Sequence, residues 1–130
     1  MINSEYKVAI VCITYNHEKY IKQTIESFLM QKTEFKFTVI IADDCSKDST
    51  PDIIREYAAK YPDIIKAVLR DKNIGPMNNF KSAMSYCSSE YLALCEGDDY
   101  WTDENKIKKQ IESFFNLELH KLKKIIGKIN

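Results

Sequence analysis

The chain has 130 residues, with 19 basic and 19 acidic side chains cancelling to a formal net charge of zero and 45% apolar residues. That length suits one domain able to bury a real core, and the balanced charge gives no basic surface to argue for nucleic acid. Cys12, Cys45, Cys87 and Cys95 show no CxxC spacing, which argues for free thiols in a reducing compartment over a disulfide frame or a zinc site.

The opening "MINSEYKVAIVCITYNH" has too short an apolar run and no basic start for a signal peptide. No run of about 18 apolar residues follows, so a cytoplasmic protein is expected. "KVAIVCIT" (Lys7–Thr14) is rich in β-branched residues and reads as a buried strand. A helix is expected from about Glu18, with Ile21, Ile25, Phe28 and Leu29 on one face. "FTVIIA" (Phe37–Ala42) reads as the second strand, and its helix opens at Ser49-Thr50-Pro51, a hydroxyl cap followed by proline in the first turn. Ile53, Ile54, Tyr57 and Ala58 form that helix's buried stripe. "IIKAVL" (Ile64–Leu69) is the third strand, and Phe80, Ala83, Met84 and Cys87 mark a third helix by their spacing. "EYLALC" (Glu90–Cys95) is the fourth strand. A last helix is expected from near Asp103, with Ile107, Ile111, Phe114 and Phe115 facing inward.

Four strand–helix pairs in succession predict an α/β fold, a Rossmann-like, mostly parallel sheet with helices on both faces. Each strand runs at its carboxyl end into polar residues: "TYNHE", "DDCSKDST", "RDKNIGPMNN" and "EGDDYW". In open parallel sheets, ligands bind outside that edge, where the strand order reverses. With the order 3-2-1-4, the reversal lies between strands one and four. Tyr15, Asn16, Asp98 and Asp99 then face each other, with Asp43 and Asp44 one strand away.

The only glycines are Gly75, Gly97 and Gly127, so neither a dinucleotide fingerprint nor a P-loop is present. Carboxylates repel phosphate unless a divalent cation stands between them, and hard oxygen donors suit Mg²⁺ or Mn²⁺. The Asp98–Asp99 turn therefore reads as a metal–diphosphate site. Asp43 and Asp44 remain to accept hydrogen bonds from a base or ribose.

"VAIVCITYNHEKYIKQTIESFLMQ", "VIIADDCSKDSTPDII" and "YLALCEGDDYWTDENKIKKQI" together resemble the family 2 glycosyltransferases of the GT-A fold, over about Val8 to Ile111. The resemblance implies Thr14 and Tyr15 near the uracil of a UDP-sugar, with Asn16 in the same pocket-lining segment. It implies Asp44 on the base, Asp98 near the ribose, and Asp99 on a Mn²⁺ or Mg²⁺ ion that bridges the diphosphate. The implied reaction transfers a sugar, with inversion, from a nucleotide-sugar to a hydroxyl of a glycan or lipid-linked sugar, as in polysaccharide biosynthesis. Two departures stand out. The "NIGPMNNF" segment keeps Asn73, Gly75 and Asn78-Asn79 but lacks the family's basic residue. The family's catalytic base lies on a later segment, so the base is expected outside this chain. Residues 1–115 then form the nucleotide-sugar-binding domain, and residues 116–130 a lysine-rich helical tail with the acceptor-binding half missing.

Competing readings accompany these. Asp98 and Asp99 suit a helix N-terminus, Asp43 and Asp44 an Asx-type loop, and Tyr15 and Asn16 the mere end of a strand. Asp48 belongs with the helix cap, and His17 reads as a surface loop residue. Trp101 either shields the site or packs beneath it. The seven lysines from Lys106 onward, opposed only by Glu112 and Glu118, suit a solvated face or contact with anionic lipid at the inner face of the membrane. A receiver-type signalling module and an inactive nucleotide-binding remnant are the alternatives to a transferase.

Overall fold

The computed structural model describes residues 6–129, with side chains through residue 121. Strands and helices alternate along it: β1 (Val8–Thr14), α1 (Ile21–Leu29), β2 (Phe37–Asp43), α2 (Thr50–Lys60), β3 (Ile65–Leu69), α3 (Pro76–Met84), β4 (Tyr91–Glu96) and α4 (Lys106–Ile129). The strands form one parallel sheet in the expected order, β3-β2-β1-β4.

The two central strands are apolar except for Thr14, Thr38 and Asp43, because both their faces are covered. Val8, Ile10, Cys12, Val39 and Ile41 pack with Ile21, Ile25 and Phe28 of α1 and with Ile54 and Tyr57 of α2. On the opposite face Val11, Ile40 and Ala42 pack against Ala83 of α3. The register pairs Thr14 with Asp43 and Ile13 with Glu96, so the polar ends of three strands meet at one sheet edge. Since α3 lies over β1 and β2, Leu92 and Leu94 on the edge strand β4 stay 45% and 55% exposed.

Three expectations need correction. The first helix begins at Ile21, not near Glu18; a turn precedes it, in which the His17 carbonyl accepts the Tyr20 and Ile21 N–H groups at 2.9 and 2.8 Å. Ser49 stands at the N-cap of α2 but makes no side-chain cap bond. Asp48 does that work, its Oδ1 accepting the Thr50 N–H at 2.9 Å and the Thr50 hydroxyl at 2.6 Å while Oδ2 accepts the Glu18 N–H at 3.2 Å. The last helix begins at Lys106, and only its start is packed inward. Ile107 is buried, whereas Phe114 and Phe115 are 50% and 65% exposed. Phe114 stacks on Tyr91 with centroids 5.6 Å apart. A helix of 24 residues is about 36 Å long, whereas a strand of six residues spans about 20 Å. The helix therefore overruns the sheet it leans on. It continues unbroken from 115 into 116. Lys123, Lys124 and Lys128 of the lysine-rich tail lie outside the described side chains. Among the described residues, no helix is long and apolar enough to cross a membrane.

The Asp48 cap sets a pH dependence. Burial alone pushes its carboxyl up, but the Thr50 hydroxyl and the Thr50 and Glu18 N–H groups hold it below the usual 3.8. A depressed folded-state value means stabilisation that is fully present above 3.8 and is lost as the pH falls through the lower folded value. Asp48→Ala is expected to cost about 1 kcal/mol at neutral pH. Melting curves of the two proteins should converge on acidification; a gap that persists in acid would assign the effect to packing.

Candidate functional site

Above the carboxyl edge of the sheet lies a cleft of about 350 Å³. The end of β1 and the loop after it contribute Thr14, Tyr15 and His17, the first residue after β2 is Asp44, the β3–α3 loop contributes Asn73, α3 contributes Asn79, and β4 contributes Glu96. Glu96 also borders a neighbouring recess whose other acidic residues are Asp98 and Asp99. Of the side chains expected at one crevice, Thr14, Tyr15 and Asp44 line the first hollow and Asp98 and Asp99 the second, with Glu96 shared, whereas Asn16 and Asp43 line neither.

Each acidic residue has a distinct environment. Asp44 is 3% exposed, and its carboxylate is satisfied by backbone: Oδ1 accepts the Ile74 N–H at 2.8 Å and Oδ2 the Gly75 N–H at 3.0 Å. Its main-chain carbonyl accepts the Asn73 amide at 3.1 Å, and its own N–H donates to the Thr14 carbonyl at 3.0 Å. Asp44 therefore draws the β3–α3 loop in as a wall of the cleft. Gly75 takes φ +89° there, which its lack of a Cβ permits. Each Asp44 oxygen keeps a second acceptor position. Asp43, 1% exposed, is closed on Ser46, accepting its hydroxyl at 2.5 Å and its N–H at 2.9 Å. Burial pushes the Asp43 carboxyl up, and the residue does not line the cleft.

Asn16 has the same fastening character. It adopts φ +54°, a conformation that asparagine tolerates better than most residues. Its N–H donates to Ser46 Oγ at 2.8 Å and its Oδ1 accepts the Lys47 N–H at 2.9 Å, which ties the loop after β1 to the loop after β2. Tyr15 beside it is 41% exposed and lines the cleft.

The acidic turn is anchored from beneath. Gly97 N–H donates to the Ile13 carbonyl at 3.0 Å. The Thr24 hydroxyl of α1 contacts the Gly97 carbonyl at 3.0 Å and lies close to the Asp99 carbonyl. Trp101 packs edge-on against Phe28, with centroids 5.0 Å apart, so it supports the turn from the core. Asp98 and Asp99 remain exposed on top, and Asp99 Oδ1 accepts the Tyr100 N–H at 2.8 Å. Among the described residues, no three His, Cys, Asp or Glu side chains form a ready-made metal cage. An open carboxylate pair still fits Mg²⁺ or Mn²⁺, which take most of their ligands from water and phosphate oxygens.

His17, expected as a surface loop residue, lines the cleft instead. His17 lies between Thr14 and Asp98, with Nδ1 at 2.9 Å from Thr14 Oγ1 and Nε2 at 3.7 Å from Asp98 Oδ2. Arg70, not itself a lining residue, holds one that is, its Nε donating to Asn79 Oδ1 at 2.6 Å. The "TYNHE" run could have pointed to His17, since it sits three residues from Thr14 in a turn. Nothing in the spacing of Arg70 and Asn79 announces their pairing.

Gly97 is the steric keystone. A Cβ there would fall 2.6 Å from Thr14 Cβ and 2.9 Å from His17 Nδ1, closer than non-bonded atoms allow. Gly97→Ala is expected to cost about 1–3 kcal/mol through overpacking and to displace both side chains from the cleft. Chemical denaturation checks it, and unchanged stability would mean that the turn yields freely.

The family model for glycosyl transferase family 2 matches residues 9–119. A Mycobacterium tuberculosis protein of uncharacterised function, Rv1520, is 54% identical over 81% of this chain and 30% of its own. The poly(ribitol-phosphate) beta-N-acetylglucosaminyltransferase TarS of Staphylococcus aureus is 33% identical over 75% of this chain and 17% of its own. The crystal structure of TarS residues 1–349 in complex with UDP-GlcNAc superposes with a TM-score of 0.69 at 30% identity, covering 88% of this chain and 32% of that one. The chain thus spans 30% or less of the length of these two relatives.

Proposed function

Because this chain belongs to glycosyl transferase family 2, we propose that it forms the donor-binding part of an inverting glycosyltransferase that moves a sugar from a UDP- or other nucleotide-sugar to an acceptor hydroxyl. The observation that carries this reading is the meeting, at one sheet edge, of a cleft lined by Tyr15 and Asp44 with an exposed Asp98–Asp99 turn. The UDP-GlcNAc held by TarS supports a uridine donor. In this reading Tyr15 and Thr14 flank the base and an Asp44 oxygen accepts a base N–H through its second lone pair. Asp43 and Asn16 act by shaping the turn that presents Asp44. Asp98 reaches the ribose and, with Asp99, holds Mn²⁺ or Mg²⁺. The bound cation supplies charge neutralisation for the leaving diphosphate. The base that deprotonates the acceptor comes from outside this chain. The acceptor is a glycan or lipid-linked sugar presented at the cytoplasmic side of a membrane. Family membership displaces the receiver-type alternative, whose phosphoacceptor aspartate has no counterpart in this reading.

Isothermal titration of UDP with and without Mn²⁺ tests the proposal. The expected result is binding that strengthens sharply when Mn²⁺ is present. Absence of binding to UDP and to the other nucleoside diphosphates, or an affinity indifferent to Mn²⁺, would refute it.

A further inference from the structure

We infer that His17 is a positioning residue for Asp98, linking the loop after β1 to the acidic turn after β4 so that the Asp98 carboxylate is held ready for the nucleotide. The inference rests on the donor-site reading above and adds to it a residue outside the acidic turn.

The geometry is a chain of three side chains. The Thr14 Oγ1–His17 Nδ1 separation is 2.9 Å and the His17 Nε2–Asp98 Oδ2 separation is 3.7 Å. Nε2 faces a carboxylate, which can only accept; the tautomer that serves the contact carries its proton on Nε2 and accepts a hydrogen bond from the Thr14 hydroxyl at Nδ1. The 3.7 Å separation is that of an ion-pair contact, longer than a hydrogen bond, and the Asp98 side chain is 47% exposed. Catalytic contacts of this kind are commonly long before substrate arrives.

The main chain that carries the ring is held from several sides. The His17 N–H donates to Thr50 Oγ1 at 3.0 Å, its carbonyl accepts the Tyr20 and Ile21 N–H groups that open α1, and the Gly97 backbone leaves no room for a Cβ beside Nδ1. A half-buried imidazole bonded to Thr14 beside an exposed carboxylate is the arrangement by which one residue limits the conformations of another. Without it, Asp98 keeps its charge but must be ordered by the ligand, which weakens binding.

A double-mutant cycle on UDP affinity in the presence of Mn²⁺ tests this, using His17→Ala, Asp98→Asn and the pair together. His17→Ala is expected to weaken UDP by about tenfold, the worth of a hydrogen bond to a charged group. In the Asp98→Asn background it should have no further effect. His17→Gln, which can place an amide N–H near the Nε2 position, should recover part of the loss. The melting temperature of each variant separates positioning from folding, and His17→Gln keeps the test open if the alanine variant melts early. Wild-type affinity in His17→Ala, or an equal loss in both backgrounds, overturns the inference. If in the same series Asp99→Ala still abolishes UDP binding, the donor-site reading survives. Failure of the wild-type chain to bind UDP or any other nucleoside diphosphate with Mn²⁺ overturns both.

Discussion

Asp99→Ala is expected to remove most of the UDP affinity measured with Mn²⁺ and to lower any turnover by about 10²–10³, the range for loss of one electrostatic stabiliser. The argument starts from charge. A nucleotide diphosphate approaching Glu96, Asp98 and Asp99 meets carboxylates of its own sign, and only a cation between them turns repulsion into binding. Asp99 is exposed like the other two, and its carboxylate's one described partner is the neighbouring Tyr100 N–H. Removing it should cost the fold little, within about 0.5 kcal/mol for a surface position. The signature is therefore a loss of Mn²⁺-dependent affinity with an unchanged melting temperature. UDP affinity that stays Mn²⁺-dependent in the variant would take Asp99 out of the metal site.

The fold could be read from the sequence because its signals are periodic. "VAIVCI" and "VIIA" are unbroken apolar runs because β1 and β2 are covered on both faces there, and that forces them to the centre of the sheet. Central strands one and two, with right-handed crossovers, leave few orders other than 3-2-1-4. The gathering of Tyr15, Asp44 and Asp98 at one edge then follows from the parallel register.

What could not be read was the partner of each polar atom. Asp43 and Asp44 are adjacent and alike in sequence, yet one closes on Ser46 and the other clasps Ile74 and Gly75 across a gap of 30 residues. Which of two neighbouring carboxylates meets a distant N–H depends on loop geometry that no local pattern carries. His17 was passed over for the same reason, since its value lies in Asp98, 81 positions away in the chain. Phe114 and Phe115 failed differently. Their spacing from Ile107 and Ile111 is helical and apolar, but periodicity says which face a residue occupies, not whether anything lies opposite it.

The site and the core are joined through α1, and Phe28→Ala should expose that link. Phe28 is fully buried among Ile10, Ile25 and Ile41, where truncating a phenylalanine costs about 3–5 kcal/mol through lost burial and the cavity left behind. Against a typical domain stability of about 5–15 kcal/mol, that lowers the melting temperature by about 10–20 °C for a chain of this size. The damage should not be confined to the core. Phe28 is the ring on which Trp101 rests edge-on, and one turn earlier Thr24 holds the Gly97 carbonyl. Loosening that helix frees the acidic turn between its two anchors. Below its melting point the variant should therefore also bind UDP and Mn²⁺ more weakly than wild type. Phe28→Leu, which fills much of the space, should recover most of the stability but not the edge contact to Trp101. Thermal melts and UDP titrations on both variants check the pair. If Phe28→Ala melts within a few degrees of wild type, α1 does not carry the turn as described.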